Sequence, residues 1–127
     1  MSISNYAEDA LLNAIGGTSF AAAGTYLKLH TGDPSETGTA NAAAEKDLVA
    51  ISFSAASGGS MGSSSTATWV DVASAETYTH WSLWDANTVD GSNDPTGNCL
   101  WTGALSGSAT VAAGDTFQIT SLTLTLD

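Results

Sequence analysis

The chain has 127 residues and carries 13 acidic side chains against two lysines, a formal net charge of −11. That balance argues against nucleic-acid binding and against an anionic membrane surface, since both call for a basic footprint. A single cysteine allows no internal disulfide, so the fold must rest on an apolar core; a chain of this size buries roughly two-thirds of its unfolded surface.

The start, MSISNYAED, lacks the basic segment and apolar run of a signal peptide. No apolar run approaches the ~20 residues of a membrane helix. The first expected element is a helix over residues 4–15, SNYAEDALLNAI. Ser4 or Asn5 can cap it, and Glu8 and Asp9 sit where the helix dipole favours negative charge. Leu11, Leu12 and Ile15 share a face with Tyr6 or Ala7, and Gly16–Gly17 ends the helix. A helix this short must dock on its own sheet or on a neighbouring subunit. Leu11, Leu12 and Ile15 are therefore interface candidates.

Residues 17–23 read as a linker into a strand over residues 24–30. There Leu27 and Leu29 alternate with Lys28 and His30, the pattern of a half-buried strand. Gly32, Asp33 and Pro34 stop it, and a polar, turn-rich loop runs to Ala44. Residues 47–55 form the next expected strand, with Val49, Ile51 and Phe53 on one face. The Gly/Ser-rich run 55–65 reads as a surface loop, in which Met61 fills a gap or meets a neighbour. A short strand over 66–72 holds Trp69.

Residues 77–85, TYTHWSLWD, are the most strand-prone stretch. Trp81 and Leu83 lie on one face; His80, Ser82 and Trp84 lie on the other. Aromatic residues on both faces suggest one core face and one interface, which makes Trp81, Trp84 and His80 interface or ligand candidates. A turn cluster spans 87–98. Cys99 to Leu105 is a strand with a buried thiol, and Gly103 marks a bulge or a tight crossing. From Thr110 onward the apolar parity switches between Ile119 and Leu122, which a bulge near Thr120 or Ser121 would restore. Roughly seven to eight strands at this spacing predict an all-β fold, an antiparallel β-sandwich of jelly-roll or Ig-like type with a short N-terminal helix. Residues 1–23 would be helix and linker and 24–127 the sandwich, one domain overall. The last strand runs to the C-terminus, so no further domain is expected.

Several stretches carry a resemblance, in order along nearly the whole chain. They are LL..IGGT.F from Leu11, the turn TGDP from Thr31, I.F.AASGG from Ile51, LWDA from Leu83, LW.GAL from Leu100, TV.AGDT from Thr110 and the terminal LTLTLD. Together they resemble a family of small bacteriophage virion proteins, variously labelled tail fibre, minor tail or head-decoration proteins. The chain departs from that pattern before the 47–55 strand. Glu45, Lys46 and Asp47 stand where an aromatic–Ala–Arg group is usual, so no role of that arginine carries over. The resemblance implies a structural virion subunit that is not an enzyme and needs no cofactor. Its partners would be other capsid or tail proteins and further copies of itself. Its place would be the virion, after synthesis in a bacterial cytoplasm.

Other chemistries find less support in the residues. His30 and His80 have Asp33 and Asp85 nearby, but no G-x-S-x-G elbow exposes a serine; solvent or interface faces of strands suit the histidines better. Asp85, Asn87, Asp90, Asn93 and Asp94 make an oxygen-rich loop, a weak calcium candidate through Asp85, Asn87, Asp90 and Asp94. Its D-x-N-x-x-D-G spacing is one residue off an EF-hand and lacks the closing glutamate, and Asx residues suit a solvated turn equally. Two histidines and one cysteine have no zinc-ligand spacing. Four tryptophans invite stacking on sugars, against core filling as the commoner use. The alternative function is thus a tail module that recognises host-surface glycan.

Overall fold

Ser4 both caps the N-terminal helix and ties it to the rest of the chain. Its backbone is extended, its hydroxyl oxygen accepts from the Ala7 amide at 3.2 Å, and the helix α1 (Asn5–Ile15) follows. The same residue docks that helix, because its amide donates to Leu100 O at 3.1 Å and its hydroxyl to Cys99 O. A two-residue strand, β1 (Ser2–Ile3), precedes it. Gly16 and Gly17 end the helix through amide bonds to Leu12 O and Ala14 O, with Gly17 at φ 99°. These observations come from a computed structural model, which describes residues 1–126.

The main sheet has five antiparallel strands. They are β2 (Tyr26–His30), β3 (Val49–Ala50), β6 (Glu76–Trp84), β7 (Cys99–Val111) and β1, in the order β1-β7-β6-β2-β3. Two further ribbons pair β4 (Ser60–Gly62) with β9 (Thr123–Thr125), and β5 (Ala67–Trp69) with β8 (Phe117–Ile119). The fold is therefore mostly β and antiparallel with one short helix, and its sheets do not close into a barrel.

Alternation along β2 and β6 sets the faces. Leu27 pairs with Leu83 and Leu29 with Trp81, and all four enter the main core with Trp69, Tyr78 and Ile119. Leu124 and the half-buried Met61 bring the β4–β9 ribbon to the same core. Between β8 and β9 the ladder breaks. Four residues, 63–66, face three, 120–122, and this lets both Ile119 and Leu122 point inward. The parity switch in the sequence has that origin.

Several elements differ from expectation. The strand over 47–55 is only two residues long, because the chain changes partners. The Ile51 amide bonds to Thr25 O, whereas Ser54 bonds to Gly62 O. Residues 60–62, read as loop, are a strand. β7 runs unbroken through Ser106, Gly107 and Ser108 to Val111. Thr79 of β6 stands opposite four β7 residues, 105–108, in a wide bulge, and Leu100 is a second surplus residue. Gly103 is the tight crossing: a Cβ there would lie 2.5 Å from Trp81 Cζ2.

The largest difference concerns the second face of the sheet. Lys28, His30 and Ser82 were expected to look outward, yet all three are wholly buried. The loop between β2 and β3 folds back over them. Leu48, Trp84 and Cys99 form a smaller apolar cluster there, flanked by Tyr26 and Val89. Gly38, at φ 75°, lets the loop backbone approach closely; a Cβ would meet Cys99 Sγ at 2.6 Å and Trp84 Cζ2 at 2.8 Å.

Candidate functional site

The sequence candidates scatter. Trp81 and Trp84 are 2% and 3% exposed, so neither is offered to a ligand or a neighbour. Trp69 and Trp101 are buried as well, and the sugar-stacking surface that the tryptophan count suggested cannot be built from them. His80 is half-buried at a sheet position opposite His30 and bonds to Thr79 Oγ1 at 2.8 Å. The two histidines are thus neighbours across strands, but no acid among the described residues joins either in a hydrogen bond.

The acidic loop is spent on its own backbone. Asp85 accepts from the Asn98 amide at 2.7 Å and from its side chain at 2.9 Å. Asp90 Oδ1 accepts from the Ser92 and Asp94 amides, an Asx-type turn. Asn87 is exposed. The structure does not gather Asp85, Asn87, Asp90 and Asp94 as ligands, and no cluster of three acidic, histidine or cysteine side chains suited to a metal occurs among the described residues.

On the covered face, a polar chain is fully paired. The Trp84 indole N–H donates to Ser82 Oγ at 2.6 Å, and the Ser82 hydroxyl bonds to His30 Nε2 at 2.7 Å. His30 Nδ1 faces Ala40 O at 2.9 Å. A carbonyl can only accept, so Nδ1 carries the proton and Nε2 accepts from the serine. Every donor in the chain then has an acceptor, and the imidazole is neutral. Burial holds His30 down to about 4.

Lys28 lies in the same layer. Its ammonium nitrogen donates to Asn93 Oδ1 at 3.0 Å and, at 3.5 Å, to Glu45 O. Burial lowers its pKa, while Glu45, Asp94, Asp47 and Glu76 pull the other way. Asn93 in turn donates to Ala43 O at 2.9 Å. Glu45 is buried and accepts from the Asp47 and Ala73 amides; Glu76 accepts from the Ala44 amide through one oxygen, and its other oxygen is buried without a partner. Side chains far apart in sequence thus add to the backbone bonds of Thr31 to Asn41 O and Ala43 to Leu29 O in pinning the loop.

Val70 is 70% exposed by itself, whereas several exposed or half-exposed apolar side chains gather around α1. Only Ala7 of the helix is fully buried. Leu11 is half-buried and lines a groove of about 280 Å³, whose floor is Leu83, Leu100 and Trp101 and whose far wall is Met61, Leu124 and Leu126. Beyond it, Leu12 is 66% and Ile15 84% exposed. The helix face predicted from sequence is real, but the chain itself covers only its N-terminal end. No helix among the described residues is long and apolar enough to cross a membrane.

The fold is thus a small antiparallel β protein with an apolar groove and exposed apolar side chains beside its one helix. Residues 2–127 match the family model described as podophage GP4 fiber I protein gp80, and the chain belongs to that family of phage fibre proteins. The expected kinship with phage virion structural proteins therefore holds. No curated protein matches the chain.

Proposed function

We propose that this chain is a non-enzymatic structural subunit of the tail-fibre apparatus of a phage particle, built into the virion after synthesis in the bacterial cytoplasm. It joins further copies of itself and other virion proteins through α1. In this reading residues 24–127 are a β-sandwich body, with the two ribbons as its second layer, and residues 1–23 are an assembling arm of the same domain.

The observation that carries the reading is the exposure of Leu12 and Ile15 beside an apolar groove. Burying one such side chain contributes about 1.5–3 kcal/mol. Contiguous apolar surface of this kind on an otherwise acidic chain marks an interaction site. Self-assembly must overcome a net charge of −11 per copy, and an uncharged patch is where two copies can approach closely.

Sedimentation of the wild-type chain beside the Leu12→Glu/Ile15→Glu double variant tests this. Both residues are exposed, so the substitutions leave the fold intact; the wild type should be an oligomer and the variant a monomer. A monomeric wild type, or a variant with unchanged assembly, would refute the role of α1. Labelled-antibody electron microscopy on intact particles addresses location. Label on the tail is expected, and label spread over the head would mean a decorating role instead. Recognition of host glycan remains the second reading, tested by binding of the assembled protein to host-surface polysaccharide.

A further inference from the structure

We propose that Lys28 and Asn93 form an intramolecular isopeptide bond, a covalent clasp between β2 and the loop after β6. The Lys28 amine attacks the Asn93 side-chain carbon, the carbon–nitrogen bond of the carboxamide breaks, and ammonia leaves. Amine and carboxamide go in, a secondary amide and ammonia come out. No oxidant, metal or cofactor is needed.

Three features of the site favour this chemistry. First, the reactants are already in place: Lys28 Nζ is 3.0 Å from Asn93 Oδ1, and the carbon to be attacked is one bond beyond that oxygen. Holding two reacting groups in contact removes the entropic cost of bringing them together. Asn93 is fixed from both sides, by its own bond to Ala43 O and by a left-handed backbone at φ 67°. Second, the amine is buried with no exposed surface, and its two hydrogen bonds go to neutral oxygens. Burial favours the uncharged amine, which is the nucleophile. Third, acids surround it. Of these Glu45 has the largest effect on Lys28, second to that of burial; their field favours the positive charge that develops on the attacking nitrogen, whose proton passes to the departing nitrogen, which leaves as ammonia. The new amide N–H would keep Glu45 O as its acceptor.

The bond would close a loop across 65 residues and fasten the covering layer to the sheet. Cross-links of this span restrict the unfolded chain. For a fibre subunit outside the cell, such a clasp offers resistance that hydrogen bonds alone do not.

Mass spectrometry of the purified full-length wild-type protein decides the matter. After allowing for the initiator methionine, the intact mass should be below the sequence mass by about 17 Da, one ammonia. Digestion at acidic residues should release a branched peptide joining the Lys28 and Asn93 segments. Trypsin should cut after Lys46 and not after Lys28. In the Lys28→Met variant the full mass should return and the branched peptide vanish. A folded wild-type protein of full sequence mass would overturn the proposal. So would the same mass loss confined to a linear peptide, which is what an asparagine closing on its own backbone gives. Both readings come from the wild type, so the test stands even where the variant does not fold.

Discussion

Lowering the pH should destabilise this protein through His30 in a defined window. In the folded chain the imidazole has no exposed surface, and its two nitrogens face Ala40 O and the Ser82 hydroxyl. A second proton would sit on Nε2 and point at Ser82, which already accepts from Trp84. The serine hydroxyl would have to turn away, and its proton would lose its acceptor. Lys28 beside it and His80 across the strand add positive potential. The folded pKa is accordingly about 4 against an unfolded value of 6.5. The sign follows from proton counting: as the pH falls below 6.5, the unfolded chain binds a proton that the folded one refuses. Stability is thus complete above that value, falls between 6.5 and 4, and loses nothing more to this group below 4. Between about pH 7.5 and pH 4.5 the loss is about 2–3 kcal/mol. Urea unfolding should be compared between wild type and His30→Gln at each pH, so that the contributions of all other groups cancel. The wild-type curve should fall more steeply by that amount. Parallel curves would refute the account, because His30 would then be titrating as freely when folded as when unfolded.

Three further outcomes follow from the same layer. Ser82→Ala leaves the Trp84 N–H and His30 Nε2 buried without partners, and should cost about 2–4 kcal/mol in chemical denaturation; a loss below about 1 kcal/mol would mean that the chain of bonds is not formed. Gly38→Ala must strain a backbone at φ 75° and push a methyl into Cys99 and Trp84. It should lower stability by about 1–3 kcal/mol, and an unchanged unfolding midpoint would show the loop sitting higher. Burial pushes the Cys99 thiol up to about 12, so a thiol reagent at mildly alkaline pH should react only after denaturant is added. Rapid reaction of the native protein would contradict the closed cover over that cysteine.

Local signals made much of the frame readable. Ser4 followed by an apolar face and a Gly–Gly stop gave α1 nearly to the residue, and the alternation at Leu27, Leu29, Trp81 and Leu83 gave the core face of β2 and β6. The other face was misread for a physical reason. Alternation tells apart two faces of a strand, but only tertiary closure decides whether the polar one meets water. Here the cover is held by bonds such as Asn93 to Ala43 and Glu76 to Ala44, 50 and 32 residues apart, which no local pattern announces. The same distance hid the meeting of Lys28 with Asn93. Trp84 looked like an interface residue because the loop that buries it is polar in composition. Leu11, Leu12 and Ile15 could be placed on the helix because its stripe is a local property. β1 is too short to register, and the strand expected over Cys99 to Leu105 stopped short of Val111 because the Ser–Gly–Ser stretch that follows lacks the apolar alternation of a strand.

The bulge in β7 also bears on how copies of the chain can meet edge to edge. Beyond β1, the outer flank of β7 has no ladder partner among the described residues. From Cys99 to Gly114 it carries no charged side chain. Natural sheets commonly guard such flanks with lysine or proline against zipping onto another copy. This one has neither, and uses shape: four residues crowded opposite Thr79 kink the strand, so that no straight template is presented. The net charge of −11 keeps copies apart at long range, but salt at physiological strength screens that repulsion beyond about 8 Å. At contact range the kink is what remains. Deleting Ser106–Ser108 would straighten the flank and offer a template for edge-to-edge stacking, with the charge of the chain unchanged.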